Sequence, residues 1–439
     1  MKIFSSLLVL LWYSIQLAAQ PTIEWQKTFG GGSYDQAYSI QQANDGGYIV
    51  AGSSSSSTGD IIGHIGGNDF WVLKLDEHGL IQWKKILGGT GNDVARTIFQ
   101  TADNGYFVAG YSESDDYDVS GNHGGFYDSW AVKLNSNGVI EWQKAFGGSN
   151  LDDARAAIQT IDGGYILAGK SNSTDGDVTG NHGEFDYWIV KLDLNGNLEW
   201  QLSLGGSKDD SAVAIKQTSD GGYIINGVSA SSDGDVTGLH GNVDFWVVKL
   251  SGEGGLEWQK TLGGSYGDIG SDVVQTIDGG YAVTGYVGSD DGDITNFHGI
   301  LDYWIAKLNN SGKLEWQSAF GGSEPDYGEG IVLTSDGGYL LMGGTQSSNG
   351  DVQGNNGGAE YWVVKVDSIG QLVWQQTYGG NMPEDGYAIC NTSDNGYALA
   401  GFAWSANNGD LLGSINQGKA DFWIVKLAPE TVPVNEVQN

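Results

Sequence analysis

The chain has 439 residues and a formal net charge of −34 at pH 7, with 54 acidic side chains against 20 Lys and Arg. Nucleic acid is therefore excluded as the expected partner, because its binding needs clustered Lys and Arg. An aromatic fraction of 11% excludes a disordered chain, and a single cysteine, Cys390, excludes disulfide bonds as the source of stability.

The first 19 residues predict a secretory signal peptide. Lys2 supplies the positive end, residues 4–17 form the apolar stretch, and Ala18-Ala19 offers a small-residue cleavage point. The stretch is too short to span a membrane comfortably, and no other apolar run approaches the length needed. We expect an exported monomer with no membrane segment in the mature chain, located in the periplasm, on the outer surface or outside the cell.

From residue 23 to residue 427 the sequence repeats a block of about 58 residues seven times. One tryptophan marks a Glu-Trp-Gln-Lys-like string in each block, and a second marks an Asp-aromatic-Trp string. A fixed period of this size indicates an array or a closed ring, because each block is too small to bury a core alone. The two rows are Trp25, Trp83, Trp142, Trp200, Trp258, Trp316 and Trp374, and Trp71, Trp130, Trp188, Trp246, Trp304, Trp362 and Trp423.

Each block contains four short runs typical of β-strands. In the block that contains Trp200, an extended run begins at Asn197, and further runs cover residues 212–218, 222–227 and 245–250. The runs are aromatic or β-branched and are bounded by Gly, Asn and Asp, which is the pattern of strands and turns. Four antiparallel strands in each of seven blocks predict an all-β fold, a seven-bladed β-propeller.

The order of the runs predicts how the ring closes. The hairpins within a block are too short to leave a sheet, so the Gly-Gly link, such as Gly147-Gly148, crosses between blades. Runs like 212–218 are then innermost and the Glu-Trp runs outermost. The N-terminal strand, residues 23–29, would complete the blade made by residues 385–427 and hide an exposed edge. Residues 428–439 form a polar C-terminal tail.

The block resembles the bacterial β-propeller repeat known as SBBP. The matching strings are Gly-Tyr-Ile-Ile-Asn-Gly at 222–227, Asp-Phe-Trp-Val-Val-Lys-Leu at 244–250, Leu-Glu-Trp at 256–258 and Leu-Gly-Gly-Ser-Tyr-Gly-Asp at 262–268. The block is also similar to tandem blocks in secreted proteins of Bacteroidota. This resemblance implies the propeller fold and an exported protein, and it says little about function, since propellers host many activities.

Aligning the blocks places three rings of carboxylates on one face of the propeller. The first ring follows the Gly-Gly link, and we expect it to accept N–H hydrogen bonds from that link; a ring that lines the channel mouth and binds a cation is the alternative. Its members are Asp35, Asp93, Asp152, Asp210, Asp268, Asp326 and Glu384.

The second ring lies in the long loop of each block, with another oxygen-bearing side chain usually two residues earlier. Calcium accepts six to eight such oxygen ligands, so these loops predict a calcium site; turn capping by the same side chains is the alternative. The ring is Asp60, Asp118, Asp177, Asp235, Asp293, Asp351 and Asp410. The candidate calcium ligands are Asp116, Asp118, Asp175, Asp177, Asp233, Asp235, Asp291 and Asp293.

The third ring precedes the aromatic-Trp pair. We expect it to pair with the Lys that ends the same run, because a partly buried Lys needs a partner; the Glu of the Glu-Trp string is the alternative partner. The acids are Asp69, Asp128, Asp186, Asp244, Asp302, Glu360 and Asp421. The lysines are Lys74, Lys133, Lys191, Lys249, Lys307, Lys365 and Lys426.

Five histidines recur once per block in the long loops. Zinc would need matching nitrogen ligands from neighbouring blades, so their regular spacing favours a hydrogen bond within the loop over a metal site. They are His64, His123, His182, His240 and His298.

One inner-strand position varies between blocks and is the best candidate for an individual ligand site. Arg96 and Arg155, beside Asp93 and Asp152, could hold a carboxylate or uronate bidentately; an inter-blade ion pair is the alternative. Trp404 breaks the tryptophan pattern and is a candidate platform for a sugar. The variable residues are Tyr38, Arg96, Arg155, Val213, Ser271, Glu329 and Tyr387.

These observations favour a secreted, non-catalytic propeller that binds a glycan or protein ligand through its acidic loop face, with calcium as the candidate cofactor. Seven near-equal blocks disfavour a catalytic site, which needs different roles in one place. The alternatives are a polysaccharide lyase or glycoside hydrolase of propeller fold, and a structural or adhesion module.

Overall fold

A computed structural model describes residues 20–430 of the chain. The predicted signal peptide and residues 431–439 of the predicted tail lie outside the described residues. No helix in the described part is long and apolar enough to cross a membrane.

The structure confirms a seven-bladed propeller. Its 28 strands form seven sheets of four antiparallel strands, and a three-residue 3₁₀ helix, Gly409–Leu411, lies in the last long loop. From inner to outer strand, the blades are blade 1 with Asp35–Gln42, Tyr48–Ser54, Asp69–Leu75 and Ile81–Leu87; blade 2 with Asp93–Gln100, Tyr106–Ser112, Asp128–Leu134 and Ile140–Phe146; blade 3 with Asp152–Gln159, Tyr165–Ser171, Asp186–Leu192 and Leu198–Leu204; blade 4 with Asp210–Gln217, Tyr223–Ser229, Asp244–Leu250 and Leu256–Leu262; blade 5 with Asp268–Gln275, Tyr281–Val287, Asp302–Leu308 and Leu314–Phe320; blade 6 with Asp326–Leu333, Tyr339–Thr345, Glu360–Val366 and Leu372–Tyr378; and blade 7 with Glu384–Asn391, Tyr397–Ala403, Asp421–Leu427 and Ile23–Phe29.

Two faces of the propeller follow from this strand order. The links between blades and the long loops between second and third strands share one face, called here the link face. The tight turns after the inner and third strands share the opposite face, called here the hairpin face.

The core lies between blades and not within them. Every residue of every third strand is buried, so these strands need apolar side chains on both faces. The hydrophobic clusters each combine two neighbouring blades: Phe70 and Val72 of blade 1, for example, pack with Val108 and Trp130 of blade 2. Removing one such Trp would cost roughly 3–5 kcal/mol.

Aromatic pairs join the third strands of successive blades. The Tyr187 ring packs against the Trp246 ring at a tilt of 58°, with ring centroids 4.4 Å apart, and its hydroxyl donates to the Trp246 carbonyl oxygen at 2.7 Å. Phe422 of blade 7 contacts Trp71 of blade 1 at 4.5 Å, so the series runs through the closure. The junction between blades 2 and 3 differs, because Ser129 stands where the other blades have an aromatic residue.

The N-terminal strand closes the ring, as the sequence predicts. Ile23–Phe29 pairs antiparallel with Asp421–Leu427 as the outer strand of blade 7. Trp423 Nε1 donates to Gln26 Oε1 at 2.8 Å, which reproduces the Trp188–Gln201 bond of a continuous blade. The closing strand thus occupies the same place as an ordinary fourth strand.

We predict that deleting residues 23–31 lowers the unfolding free energy by at least about 5 kcal/mol, because it exposes the blade 7 edge and removes buried Phe29 from the core. The matched control deletes the same residues and appends residues 23–29 after Leu427 through the turn 76–80 of blade 1. Thermal unfolding measures both proteins. The control should recover wild-type stability, and a deletion with an unchanged melting temperature would contradict the closure.

Candidate functional site

A β-bulge occurs at the same point of every inner strand. Pairing with the second strand shifts between Ala154 and Ala156 in blade 3, and between Gly328 and Gly330 in blade 6. The extra residue has no partner on the second strand, and a bulge of this kind re-aims its side chain. The seven bulge residues are Tyr38, Arg96, Arg155, Val213, Ser271, Glu329 and Tyr387.

All seven bulge residues line a central cavity of about 750 Å³. The cavity runs from the middle of the inner strands towards the hairpin face, and small residues such as Ala156, Ala214 and Gly330 form part of its wall. The position that varies between sequence blocks is therefore the position that faces the channel.

Two arginines from adjacent blades reach this cavity. The Arg96 guanidinium lies over the Tyr38 ring at 4.6 Å and over the Tyr111 ring at 5.8 Å. Its Nε is buried and has no hydrogen-bond partner among the described residues. Arg155 Nε donates to Asp153 Oδ2 at 2.9 Å, while 35% of the Arg155 side chain stays exposed.

Two acids from neighbouring blades, Glu329 and Asp385, lie close to each other. Burial, and next the neighbouring Asp385 carboxylate, raise the pKa of Glu329 to about 8, although Arg155 and Arg96 act in the opposite direction. Burial likewise raises the pKa of Asp385 to about 7. Glu329 keeps partial exposure to the lumen, and the narrow channel walls nevertheless remove most of its hydration. The uncharged acid is therefore favoured near neutral pH.

The first ring tethers the links. Asp152 is fully buried; its Oδ2 accepts the N–H of Gly148 at 2.7 Å and the hydroxyl of Ser173 at 2.8 Å. Asp93 makes the same bonds in blade 2. The link needs glycine here, because a Cβ on Gly147 would lie 2.6 Å from Asp152 Oδ2. Neither acid lines the central cavity.

The arginines and the first ring are thus not neighbours in the way the sequence suggested. Arg155 pairs with Asp153, which precedes it by two residues, and not with Asp152. A ligand role for Asp93 and Asp152 stays a prediction, and it would require their buried carboxylates to leave the link.

The second ring and the acids two residues before it accept hydrogen bonds from backbone amides of the links. Asp116 Oδ1 accepts the N–H of Thr90 at 2.8 Å, and Asp177 Oδ2 accepts the N–H of Gly147 at 3.3 Å. Further amide bonds of these two kinds involve Asp175, Asp233, Asp235, Asp291 and Asp293.

The calcium assignment stays a prediction. The backbone N–H of Asp118 donates to the carbonyl oxygen of Gly88 at 3.2 Å. Among the described residues, no group of three or more His, Cys, Asp or Glu is arranged to hold a metal ion. Calcium would therefore have to replace the amide bonds of the turns. Titration calorimetry with calcium, before and after a chelator, measures this directly.

The predicted pairing of the third ring with lysine is wrong. Asp128 begins its strand and Lys133 lies five residues further, roughly 16 Å away at about 3.3 Å per residue. Lys133 instead contacts Asp103 at 2.9 Å and Glu141 at 2.9 Å on the hairpin face. In every blade the lysine pairs with the equivalent Asp of the turn after the inner strand. These acids are Asp45, Asp103, Asp162, Asp220, Asp278, Asp336 and Asp394.

The third ring instead binds the loop that carries histidine. Asp128 Oδ2 accepts the N–H of His123 at 2.6 Å and lies 2.8 Å from its Nδ1. His123 Nε2 lies 3.6 Å from Asp177 Oδ2 of the next blade. Burial raises the pKa of Asp128 to about 6. His182, His240 and His298 repeat both contacts, and His64 contacts the third-ring Asp69 alone. The histidines thus hold their loops through carboxylates, as the hydrogen-bond interpretation predicts.

Trp404 lies on the link face where blade 7 meets blade 1. Its side chain is 37% exposed, and its ring lies 6.0 Å from that of Tyr34, which also carries Lys419 Nζ at 4.4 Å. The structure therefore places Trp404 far from the arginines, in a separate surface patch.

Sequence reasoning missed several charged groups in and around the channel. Glu329 was recognised only as a variable residue, and neither the nearby Asp153 and Asp385 nor the cavity-lining Asp272 and Lys216 were singled out. The available signal was sequence variation at two inner-strand positions, the bulge residue and the residue two places before it. Both differ from blade to blade, although the blocks are otherwise very similar.

Comparisons with known proteins give limited further information. No family model matches the chain. Regulatory protein FlaEY of Caulobacter vibrioides is 23% identical over 360 residues, which cover 70% of this chain and 37% of that protein. The chain thus spans well under half the length of this curated relative.

Similar solved structures include BBS1N in complex with ARL6DN, which is 11% identical, with 94% of this chain and 98% of that chain covered and a TM-score of 0.49. BamB from Moraxella catarrhalis is 14% identical, with 92% and 99% covered and a TM-score of 0.43. A protein of unknown function from Bacteroides caccae is 13% identical, with 72% and 92% covered and a TM-score of 0.37. By its own topology the chain is a β-propeller repeat protein, and its likeness to SBBP repeats stays a prediction.

We predict that Glu329→Gln becomes more stabilising as pH rises. The pKa of Glu329 is about 8 in the fold and about 4.3 when unfolded, so its contribution is present below the unfolded pKa and is lost as pH rises through the folded value. The two pKa values correspond to about 4 kcal/mol between pH 5 and pH 9, and the partial exposure of Glu329 to the lumen reduces this. The unfolding free energy of E329Q minus that of the wild type should therefore increase by at least about 2 kcal/mol over this range. Denaturant unfolding across pH measures it.

The control for this prediction is Glu324→Gln, which removes an exposed carboxylate from the same blade. Its stability difference from the wild type should stay flat over the same range. A flat E329Q curve would show that the channel leaves Glu329 fully hydrated.

Proposed function

We propose that this protein is a secreted, non-catalytic binding propeller that takes a glycan or protein ligand on its link face. One observation carries the proposal: all five exposed aromatic side chains among the described residues lie in links or long loops of that face. They are Tyr34, Tyr117, Phe126, Tyr266 and Trp404.

Exposed aromatic side chains are costly in water and are enriched at recognition surfaces, where a large apolar ring supplies contact area at low entropic cost. Tyr117 is 72% exposed and Phe126 74% exposed in the long loop of blade 2. Tyr117 also has φ = 52°, a left-handed conformation that costs energy in a residue with a Cβ and that collects at functional sites.

The charge of this face sets the partner's chemistry. The seven lysines of the third strands bind acids at the hairpin face, so they do not offset the carboxylates of the links and loops. Exposed acids such as Glu113, Asp115 and Asp209 lie in the links and long loops of the same face. A neutral glycan or a basic protein surface therefore fits the link face better than an acidic polymer.

We predict that the double variant Tyr117→Ala/Phe126→Ala loses ligand binding by at least about 10-fold, since aromatic anchors typically carry a large share of binding energy. The measurement is binding of labelled protein to an array of neutral and acidic polysaccharides, with and without calcium, and cross-linking to surface proteins of the source cell.

The matched control is Ile161→Ala/Ile277→Ala. These two side chains are 91% and 87% exposed but lie on the hairpin face, so binding should be unchanged. Equal binding by both double variants would contradict a link-face site. Release of soluble sugar from the same polysaccharides would contradict a non-catalytic protein and favour the lyase or hydrolase alternative.

A further inference from the structure

The central cavity is a candidate for a second site, independent of the link face. Its volume of about 750 Å³ falls within the ~300–1,000 Å³ typical of small-molecule sites. Its innermost layer is made by the bulge residues, which are the only inner-strand residues without a partner on the second strand among the described blades.

The fold does not require arginine at the bulge. Blade 4 has Val213 at this position and blade 5 has Ser271, with the same register shift in the inner strand. The charges of Arg96 and Arg155 are therefore properties of two particular blades and not of the repeat. A purely structural position would show the uniformity of the first ring.

The Arg96 guanidinium is positioned by two aromatic rings and has a donor available for an anion. Its guanidinium lies over the rings of Tyr38 and Tyr111, which fix its plane, while its buried Nε has no acceptor among the described residues. A buried donor without an acceptor costs free energy. A carboxylate satisfies a guanidinium through two parallel hydrogen bonds, and the partly exposed Arg155 of the next blade supplies a second cation.

The remaining polar groups of the layer suit hydroxyl groups. Ser271 and Tyr387 carry hydroxyls at the cavity wall. Glu329 lies close enough to Arg96 and Arg155 to interact with both, and in its uncharged form it donates and accepts a hydrogen bond. Below this layer the wall combines small residues such as Ala156, Ala214 and Gly330 with the ion pair of Lys216 and Asp272, whose charged atoms lie 3.5 Å apart.

We propose that the central cavity binds a small hydroxylated carboxylate with the size and chemistry of a sugar acid. Its carboxylate lies at Arg96 and Arg155, and its hydroxyl groups face Glu329, Ser271 and Tyr387. The ligand supplies the acceptor that Arg96 Nε lacks, and it places an anion beside Arg96, which forms no ion pair within the described residues, whereas Arg155 is already paired with Asp153.

The first test compares ligands on the wild-type protein by titration calorimetry, using D-galacturonate, D-glucuronate and D-gluconate. The uncharged probes are the methyl ester of D-galacturonate and D-galactose, which keep the ring and hydroxyls but lack the charge. At least one acid should bind, and an uncharged probe should bind at least about 10-fold more weakly, or about 1.4 kcal/mol. No heat from any acid at about 10 mM, or equal binding of an acid and its ester, overturns the proposal.

The second test uses variants, each first checked by its melting temperature without ligand. Arg96→Gln should weaken acid binding by at least about 10-fold, and Arg96→Lys, which keeps the charge but loses the planar fork, should fall between it and the wild type. Lys208→Gln removes the same charge from an exposed position of the link face and should leave the affinity within about twofold. If R96Q does not fold, R96K and the ester comparison still decide; wild-type affinity in R96Q or R96K overturns the proposal.

Discussion

Burial between blades is the interaction on which the rest of this structure depends. No single sheet can cover its third strand, which is apolar on both faces, so each blade needs a neighbour on both sides. This requirement turns seven blocks into a closed ring and makes the closing strand indispensable. It also explains why the Asp-aromatic-Trp string is kept in nearly every block: the aromatic residue of one blade and the Trp of the next fill the same gap.

Polar side chains occupy two kinds of position in the ring, the blade junctions and the surfaces of the channel and the link face. Carboxylates at the blade junctions, such as Asp152 and Asp128, accept hydrogen bonds from link and loop amides, and every block has Asp or Glu at these positions. Side chains at the bulge and at the tips of links and loops make no contact that repeats from blade to blade, so they vary. Residues that differ from blade to blade are therefore confined to the channel and the link face, because changes at the junctions would break the contacts that hold the blades together.

The sequence predicts the fold well because the period, the strand pattern and the phase of the first strand are properties of the chain itself. The same holds for the tether by the first ring and for the loop role of His123. The pairing of Lys133 was wrong because sequence distance on a strand says little about which end meets which turn. The roles of Glu329 and Asp385 were missed because the two acids meet across a blade junction, and because Glu329 approaches arginines of blades that are distant along the chain.

The seam between blades 2 and 3 shows what the interchangeable unit of this protein is. Where Ser129 leaves out an aromatic ring, Phe99 and Phe107 of blade 2 supply one, and Phe107 stacks on Tyr165 of blade 3 at 4.4 Å. Volume lost on one strand is restored on another strand of the same seam. Each blade packs against two different neighbours, so a single blade moved to another position would lose its matched packing on both sides. The unit that can be exchanged or duplicated with its packing intact therefore runs from the middle of one sheet to the middle of the next.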